Sequence, residues 1–249
     1  MSEEHILVTR DGGVLEIRFN RPDKKNAITN AMYGAMADAI ESAEADDAIR
    51  AVLFTAAGDF FSAGNDIKDF AAQSSGAFEG PRHVARFLEV VIKAEKPIVA
   101  AVQGHAVGVG TTMLFQCDLV YVADHARLTV PFIDLGVVPE NASSMTMVDR
   151  LGHTRAFALF GLGEPLIGKD AAAWGLANAA LPAAEVEPRA RAAAQTLASK
   201  PAQSMRQTKK LMRDREELMA RMREEGEIFA ERLRSPEAAA AFAAFLQKR

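Results

Sequence analysis

The sequence predicts an α/β fold, and three observations predict it. Strand and helix signals alternate up to Leu181, and the order strand, glycine, helix recurs within that stretch. Beyond Leu181 the composition turns to Ala, Glu, Arg, Lys and Met, as expected of a helical C-terminal region.

Each element has its own reason. "HILV", the turn "DGG" and "VLEIRF" form a hairpin, because Leu15, Ile17 and Phe19 alternate with Glu16 and Arg18 and so face one side of a sheet. "NRPDKKNAIT" is too polar and too broken by proline for either element and reads as a loop. From Asn30 to about Asp46, Met32, Met36, Ile40 and Ala43 recur at helical spacing, with Asp38, Glu41 and Glu44 on other faces. "RAVLFTA", "KPIVAAVQ" and "DLVYVAD" are short apolar runs bounded by turn residues, the signature of strands buried on both faces. Gln203 to Arg234 reads as one long helix or two, with Met205, Met212, Met219 and Met222 set among charges as a core stripe or a subunit contact.

Bulk properties exclude several classes of function. The chain has 249 residues, 49% of them hydrophobic, enough to bury a large core. A net charge of −4 gives no overall attraction to nucleic acid or to an anionic membrane. The single cysteine, Cys117, cannot form an internal disulfide, and "MSEEHILVTRDGG" lacks the cationic start and apolar stretch of a signal peptide, so a cytoplasmic location is expected. No apolar run reaches the roughly 20 residues that span a bilayer, and the ending "QKR" is not an SKL-type peroxisomal address. The five histidines show no metal-ligand spacing, and no metal is expected.

Two glycine turns are candidates for chemistry. In "FFSAGNDIKDF" a strand passes through Gly58 and Gly64 to a helix beginning near Asp66. In "QGHAVGVGTTM" another passes through Gly104, Gly108 and Gly110 into a helix. A helix start presents unpaired N–H groups, so either turn can hold an oxyanion or a phosphate. The second turn imitates a dinucleotide fingerprint, with Asp124 ending the next strand. It lies mid-chain, however, and Ala37 and His125 stand where a Tyr-x-x-x-Lys donor would need lysine. Neither Gly-Lys-Ser/Thr nor Gly-x-Ser-x-Gly occurs, which removes the phosphate-binding loop and the nucleophile elbow. One acid stands out: in "VVPENASS", Glu140 follows a proline among apolar and small residues. It is either a first-turn acid complementing a helix dipole or a group that moves a proton.

Taken in order, "NRPDKKNAIT", "FSAGNDIKDF", "AVQGHAVGVGTTMLFQCDLVYVAD", "PFIDLGVVPENASS" and "AAAWGLANAALP" resemble the crotonase (enoyl-CoA hydratase/isomerase) superfamily, and most closely its peroxisomal-type Δ3,Δ2-enoyl-CoA isomerases. The resemblance covers nearly the whole chain. It implies a crotonase/ClpP-like spiral of ββα units over 1–195 and a C-terminal helical region over 196–249 that covers the active site and serves oligomerisation, as a homotrimer or a dimer of trimers. It also implies that the backbone N–H groups of Asn65 and Val109 bind a thioester carbonyl oxygen. For Asn65 and Asp66 the alternative is helix capping, the simpler role for Asp66.

The expected substrate is an acyl-CoA thioester, whose coenzyme A belongs to the substrate, so no separate cofactor is implied. Lys24, Lys25, Ala27, Ser62, Ala63, Gly64, Asn65, Asp66, Ile67 and Gly108 would line its channel, and Phe245 and Lys248 would reach it from the C-terminus. Where hydratases of the family carry two catalytic acids, this sequence has Thr112 and Phe132, which disfavours two-acid hydration. Glu140 coincides with the catalytic glutamate of the isomerases. The alternatives are a hydratase using Glu140 alone, a ring-modifying CoA isomerase, or a non-catalytic acyl-CoA-binding module.

Overall fold

The structure is a computed structural model that describes residues 4–67, 69 and 80–247, with side chains through 244. Strands β1 (Ile6–Asp11) and β2 (Val14–Phe19) form the expected antiparallel hairpin. The loop that follows contains a single 3₁₀ turn, Pro22–Lys24. Helix α1 (Asn30–Ala45) is capped by Thr29, whose hydroxyl accepts the N–H of Met32 at 3.3 Å. It buries Met32, Met36, Ile40 and Ala43, the stripe read from the sequence.

Three pairs of strands then alternate between two sheets. β3 (Ala51–Ala56) is followed by β4 (Phe60–Ser62), β5 (Ile98–Val102) by β6 (His105–Val107), and β7 (Leu119–Ala123) by β8 (Arg127–Thr129). Between the first and second pairs runs helix α2 (His83–Lys93), and after β6 comes the short helix α3 (Val109–Thr112), continued by a 3₁₀ turn, Met113–Gln116. Helices α4 (Ser143–Leu151) and α5 (His153–Gly161), strand β9 (Leu166–Ile167), helix α6 (Gly168–Ala173) and strand β10 (Ala179–Leu181) complete this part. One sheet has the order β1-β2-β3-β5-β7-β10 and the other β4-β6-β8-β9. Each chain repeat thus gives a long strand to the first sheet and a short one to the second, the ββα spiral of the crotonase fold.

The long strands explain why they read as unbroken apolar runs. β3 and β5 are buried at every residue, being parallel strands covered on both faces. Helix α7 (Ala183–Ala198) packs on β3, β5 and β7, while α1 packs on α2. The predicted C-terminal helix is two: α8 (Ala202–Leu211) and α9 (Arg215–Leu233). The break falls at Asp214, whose carboxylate caps α9 by accepting the N–H of Glu217 at 3.0 Å. Helix α8 is pinned to the core by Lys209, whose ammonium donates to Asp118 at 2.7 Å and to the Lys96 carbonyl at 2.8 Å. Of the four methionines in this region, Met219 and Met222 pack inward while Met212 is 81% exposed. Helix α10 (Pro236–Gln247) ends the described chain. Among the described residues no helix is long and apolar enough to cross a membrane, and no group of three or more His, Cys, Asp or Glu side chains is arranged to hold a metal.

Candidate active site

The two glycine turns lie side by side because the strands before them pair. β4 runs parallel to β6, with Phe60 opposite His105 and Ser62 opposite Ala106. Gly64, at φ +81°, follows β4, and a Cβ there would come 2.7 Å from the carbonyl oxygen of Val107. Only glycine allows the first turn to approach the second this closely. Ser62 locks the same corner: its hydroxyl donates to the Asn26 carbonyl at 2.9 Å and accepts the N–H of Gly64 at 3.1 Å.

The next residue, Asn65, forms a parallel bridge with Ile28. The N–H of Ile28 donates to Gly64 at 2.8 Å and that of Asp66 to Ile28 at 2.9 Å. Flanking groups that bond to one side leave the N–H of Asn65 pointing to the other. In the second turn, Gly108 at φ +56° starts α3, with Val109 as the first helical residue. Among the described residues no acceptor takes the N–H of Asn65 or of Val109. Among the described residues, two N–H donors thus stand without an acceptor on neighbouring turns, the arrangement that an anion requires.

Glu140 lies against the end of α3. It is 9% exposed, and its Oε1 accepts a long hydrogen bond of 3.4 Å from the hydroxyl of Thr112, three residues after Val109. Burial pushes its pKa up from 4.5 to about 7, the nearby Glu225 adds to the rise, and the Thr112 hydroxyl opposes it. Tyr33 joins helix α1 to the first turn: its hydroxyl donates to the Asn65 side-chain oxygen at 2.6 Å. Burial, and then the charge of Glu140, raise the Tyr33 pKa well above its ordinary value, so the phenol stays neutral. The loop carrying Glu140 is held by Gln116, whose amide donates to the Asn141 carbonyl at 2.6 Å. A carboxyl that titrates near neutrality beside two unpaired backbone donors can exchange a proton with a group whose negative charge those donors stabilise.

The chain as a whole is similar to known proteins. The family model for enoyl-CoA hydratase/isomerase matches residues 9–249. The chain belongs to that family. It is 38% identical over 250 residues to enoyl-CoA delta isomerase 2 of Rattus norvegicus, covering 98% of this chain and 64% of that protein. It is 34% identical over 215 residues to enoyl-CoA delta isomerase 3, peroxisomal, of Mus musculus, covering 85% of this chain and 68% of that one. The chain thus spans less than two thirds of the length of the rat relative. Among solved structures, OdaA of Pseudomonas aeruginosa superposes with a TM-score of 0.92 at 46% identity, covering 98% of this chain and 99% of that one. An enoyl-CoA hydratase/isomerase from Pseudoalteromonas atlantica T6c superposes with a TM-score of 0.93 at 40% identity, covering 99% and 98%.

The residues that the family resemblance assigned to coenzyme A are partly gathered. The N–H of Ala63 donates to the Lys25 carbonyl at 2.9 Å, so Lys25, Ala27 and Ile28 run alongside Ala63, Gly64, Asn65 and Asp66. Lys24 and Lys25 are exposed, and the Lys25 ammonium lies 5.0 Å from the Phe60 ring centre. Ile67 is half-buried. Asp66 bonds Arg21 at 2.7 Å. Asn65 accepts from Tyr33. Asp69 accepts the N–H of Asn30 at 2.8 Å. Phe245 lies in α10 with its side chain outside the described residues, and Lys248 lies outside them entirely. Phe132, at the second hydratase acid position, is buried and packs on Phe160 with ring centres 6.3 Å apart.

Three contributors were not read from the sequence. Asn26, fully buried, donates from its amide to Ala57 and Phe60 and accepts from Arg21, and so shapes the loop beside the first turn. Tyr33 sat in an ordinary helical stripe. Glu225 sat among many charges.

Proposed function

We propose that the protein is a Δ3,Δ2-enoyl-CoA isomerase that moves a double bond from C3–C4 to C2–C3 of an acyl-CoA thioester. The N–H groups of Asn65 and Val109 donate hydrogen bonds to the thioester oxygen. Glu140 takes a proton from C2, the electrons move into a dienolate whose negative oxygen rests on the two N–H groups, and the same carboxyl returns the proton at C4. Atoms and charge balance without water, metal or redox partner, so no cofactor is needed beyond the coenzyme A of the substrate. Each preorganised donor contributes about 3 to 4 kcal/mol to such a transition state.

The observation that carries the reading is the buried carboxyl of Glu140, with a pKa near 7, facing Thr112 where a hydratase has its other acid. An acid whose pKa lies near the working pH both takes and returns a proton efficiently. The similarity to the rat and mouse delta isomerases supports the same choice. Lys24, Lys25, Ala27 and Ser62 to Ile67 form the coenzyme A side of the site, with Gly108 opposite, in a homotrimer or a dimer of trimers.

Incubation with 2-enoyl and 3-enoyl thioesters tests this directly. Unchanged product mass with a new conjugated-enoyl absorbance is the expected result, whereas a gain of water from a 2-enoyl substrate identifies a hydratase. Replacement of Glu140 by Gln should lower kcat by at least about 100-fold and leave thioester binding nearly intact. Retained turnover in that variant ends the assignment.

A further inference from the structure

Glu225 lies in the middle of α9, in a segment whose charges mostly face water, yet it is only 5% exposed. Its Oε1 accepts the N–H of Ser144 at 2.8 Å, while its Oε2 is buried without a hydrogen-bond partner among the described residues. Around it, Leu218, Met219 and Met222 of α9 pack with Ala142, Met145 and Ile92. The helix is thus fastened to the segment that begins at Glu140. That segment is strained: Asn141 and Ala142 hold left-handed φ values of +64° and +55° without being glycine. A helix-start N–H alone is satisfied by any small polar side chain. A buried carboxyl within electrostatic reach of another acid costs stability, which a capping role does not explain.

We propose that Glu225 is a positioning residue for Glu140: it fastens the left-handed loop that presents the base and sets a second buried carboxyl near it, so that a charge on either one disfavours ionisation of the other. The proposal rests on the reading of Glu140 as the group that moves the proton. With Glu225 beside it, ionised Glu140 is a stronger base than a lone glutamate, and the pair titrates as a unit. Burial raises the proton affinity of both acids, with Ser144 and the Ala142 backbone opposing the rise at Glu225. Among the described residues, Tyr33 on α1 faces Glu140 and Arg221, one turn earlier on α9, lowers the Glu225 pKa. Farther out, Arg213 donates to the backbone carbonyl of Gln116, the residue whose side-chain amide holds the Glu140 loop.

The test is a carboxyl titration followed by difference infrared spectroscopy with ¹³C-labelled glutamate, run beside the pH profile of kcat on a 3-enoyl thioester. Glu225→Gln keeps an oxygen for Ser144 but removes the charge. It should move the Glu140 midpoint, and the rising limb of kcat, about one unit toward lower pH, with KM within about twofold of wild type. In Glu140→Gln the Glu225 midpoint should fall by the same amount, because coupling between two sites is reciprocal. That second variant decides the matter even if the first fails to fold. Unmoved midpoints in both variants overturn the proposal and leave Glu225 a simple cap. If the wild-type protein turns over no 3-enoyl thioester, the isomerase reading fails, and the infrared titration still shows whether the two acids are coupled.

Discussion

At Glu140 the physical cost of the proposed chemistry can be measured apart from the chemistry. The native carboxyl holds its proton up to about pH 7, while the unfolded one releases it near 4.5. Between those values the native state binds more protons, so the contribution of this group to stability falls as pH rises, opposite to the usual salt-bridged carboxylate. Glu140→Gln removes that penalty. It should therefore be more stable than wild type at pH 8 by up to roughly 3 kcal/mol, with the advantage gone by about pH 4, as read from denaturant melts at the two pH values. An equal advantage at both pH values would show that packing, not ionisation, distinguishes the two side chains. Glu140 was visible in the sequence because an acid after proline, among Val137, Val138 and Ala142, contradicts its surroundings. Glu225 was not visible, because "REELMARMREEGE" offers several acids and only the packing of α9 selects the one turned inward. Tyr33 was hidden for the opposite reason: a tyrosine in an apolar helical stripe looks like core until its hydroxyl is seen on Asn65.

Among elements, the ones legible in sequence were those long enough to show a period. The hairpin, α1 and the strands β3, β5 and β7 each present five or more residues of consistent pattern. β4, β6 and β8 have three residues each, too few for alternation to register, and the sequence showed only the glycines after the first two. Yet these short strands bring the two turns together, and Gly64 sets how closely. Gly64→Ala imposes a left-handed residue and drives a methyl into the Val107 carbonyl. It should cost about 1–3 kcal/mol of stability and, by parting the two N–H donors, lower kcat by roughly 100-fold. Gly12→Ala is the control, since Gly12 also has positive φ, at +57°, but nothing within 4 Å of the added methyl. If both variants lose stability and neither loses kcat beyond that, the approach of the two turns is a matter of folding alone.

For the whole molecule, the surface of the single chain leaves apolar side chains uncovered. Leu211 and Met212, at the break between α8 and α9, are 88% and 81% exposed, and Leu162 and Phe157 are 71% and 60% exposed on and just after α5. Single exposed leucines are ordinary, but two consecutive large apolar residues at a helix end, facing water, suit burial by a neighbour. The proposed trimer or paired trimer supplies one. Light scattering should then give the mass of three or six chains of 26.8 kDa each. The double change Leu211→Lys with Met212→Lys should lower that mass while leaving the monomer folded, because neither side chain belongs to its core. The same break joins this surface to the site: Arg213, the next residue, donates to the carbonyl of Gln116, which holds the Glu140 loop. Assembly and catalysis should therefore fall together, with the dissociated variant losing kcat as well as mass. A dissociated chain with full activity would show that the loop is held by its own chain alone.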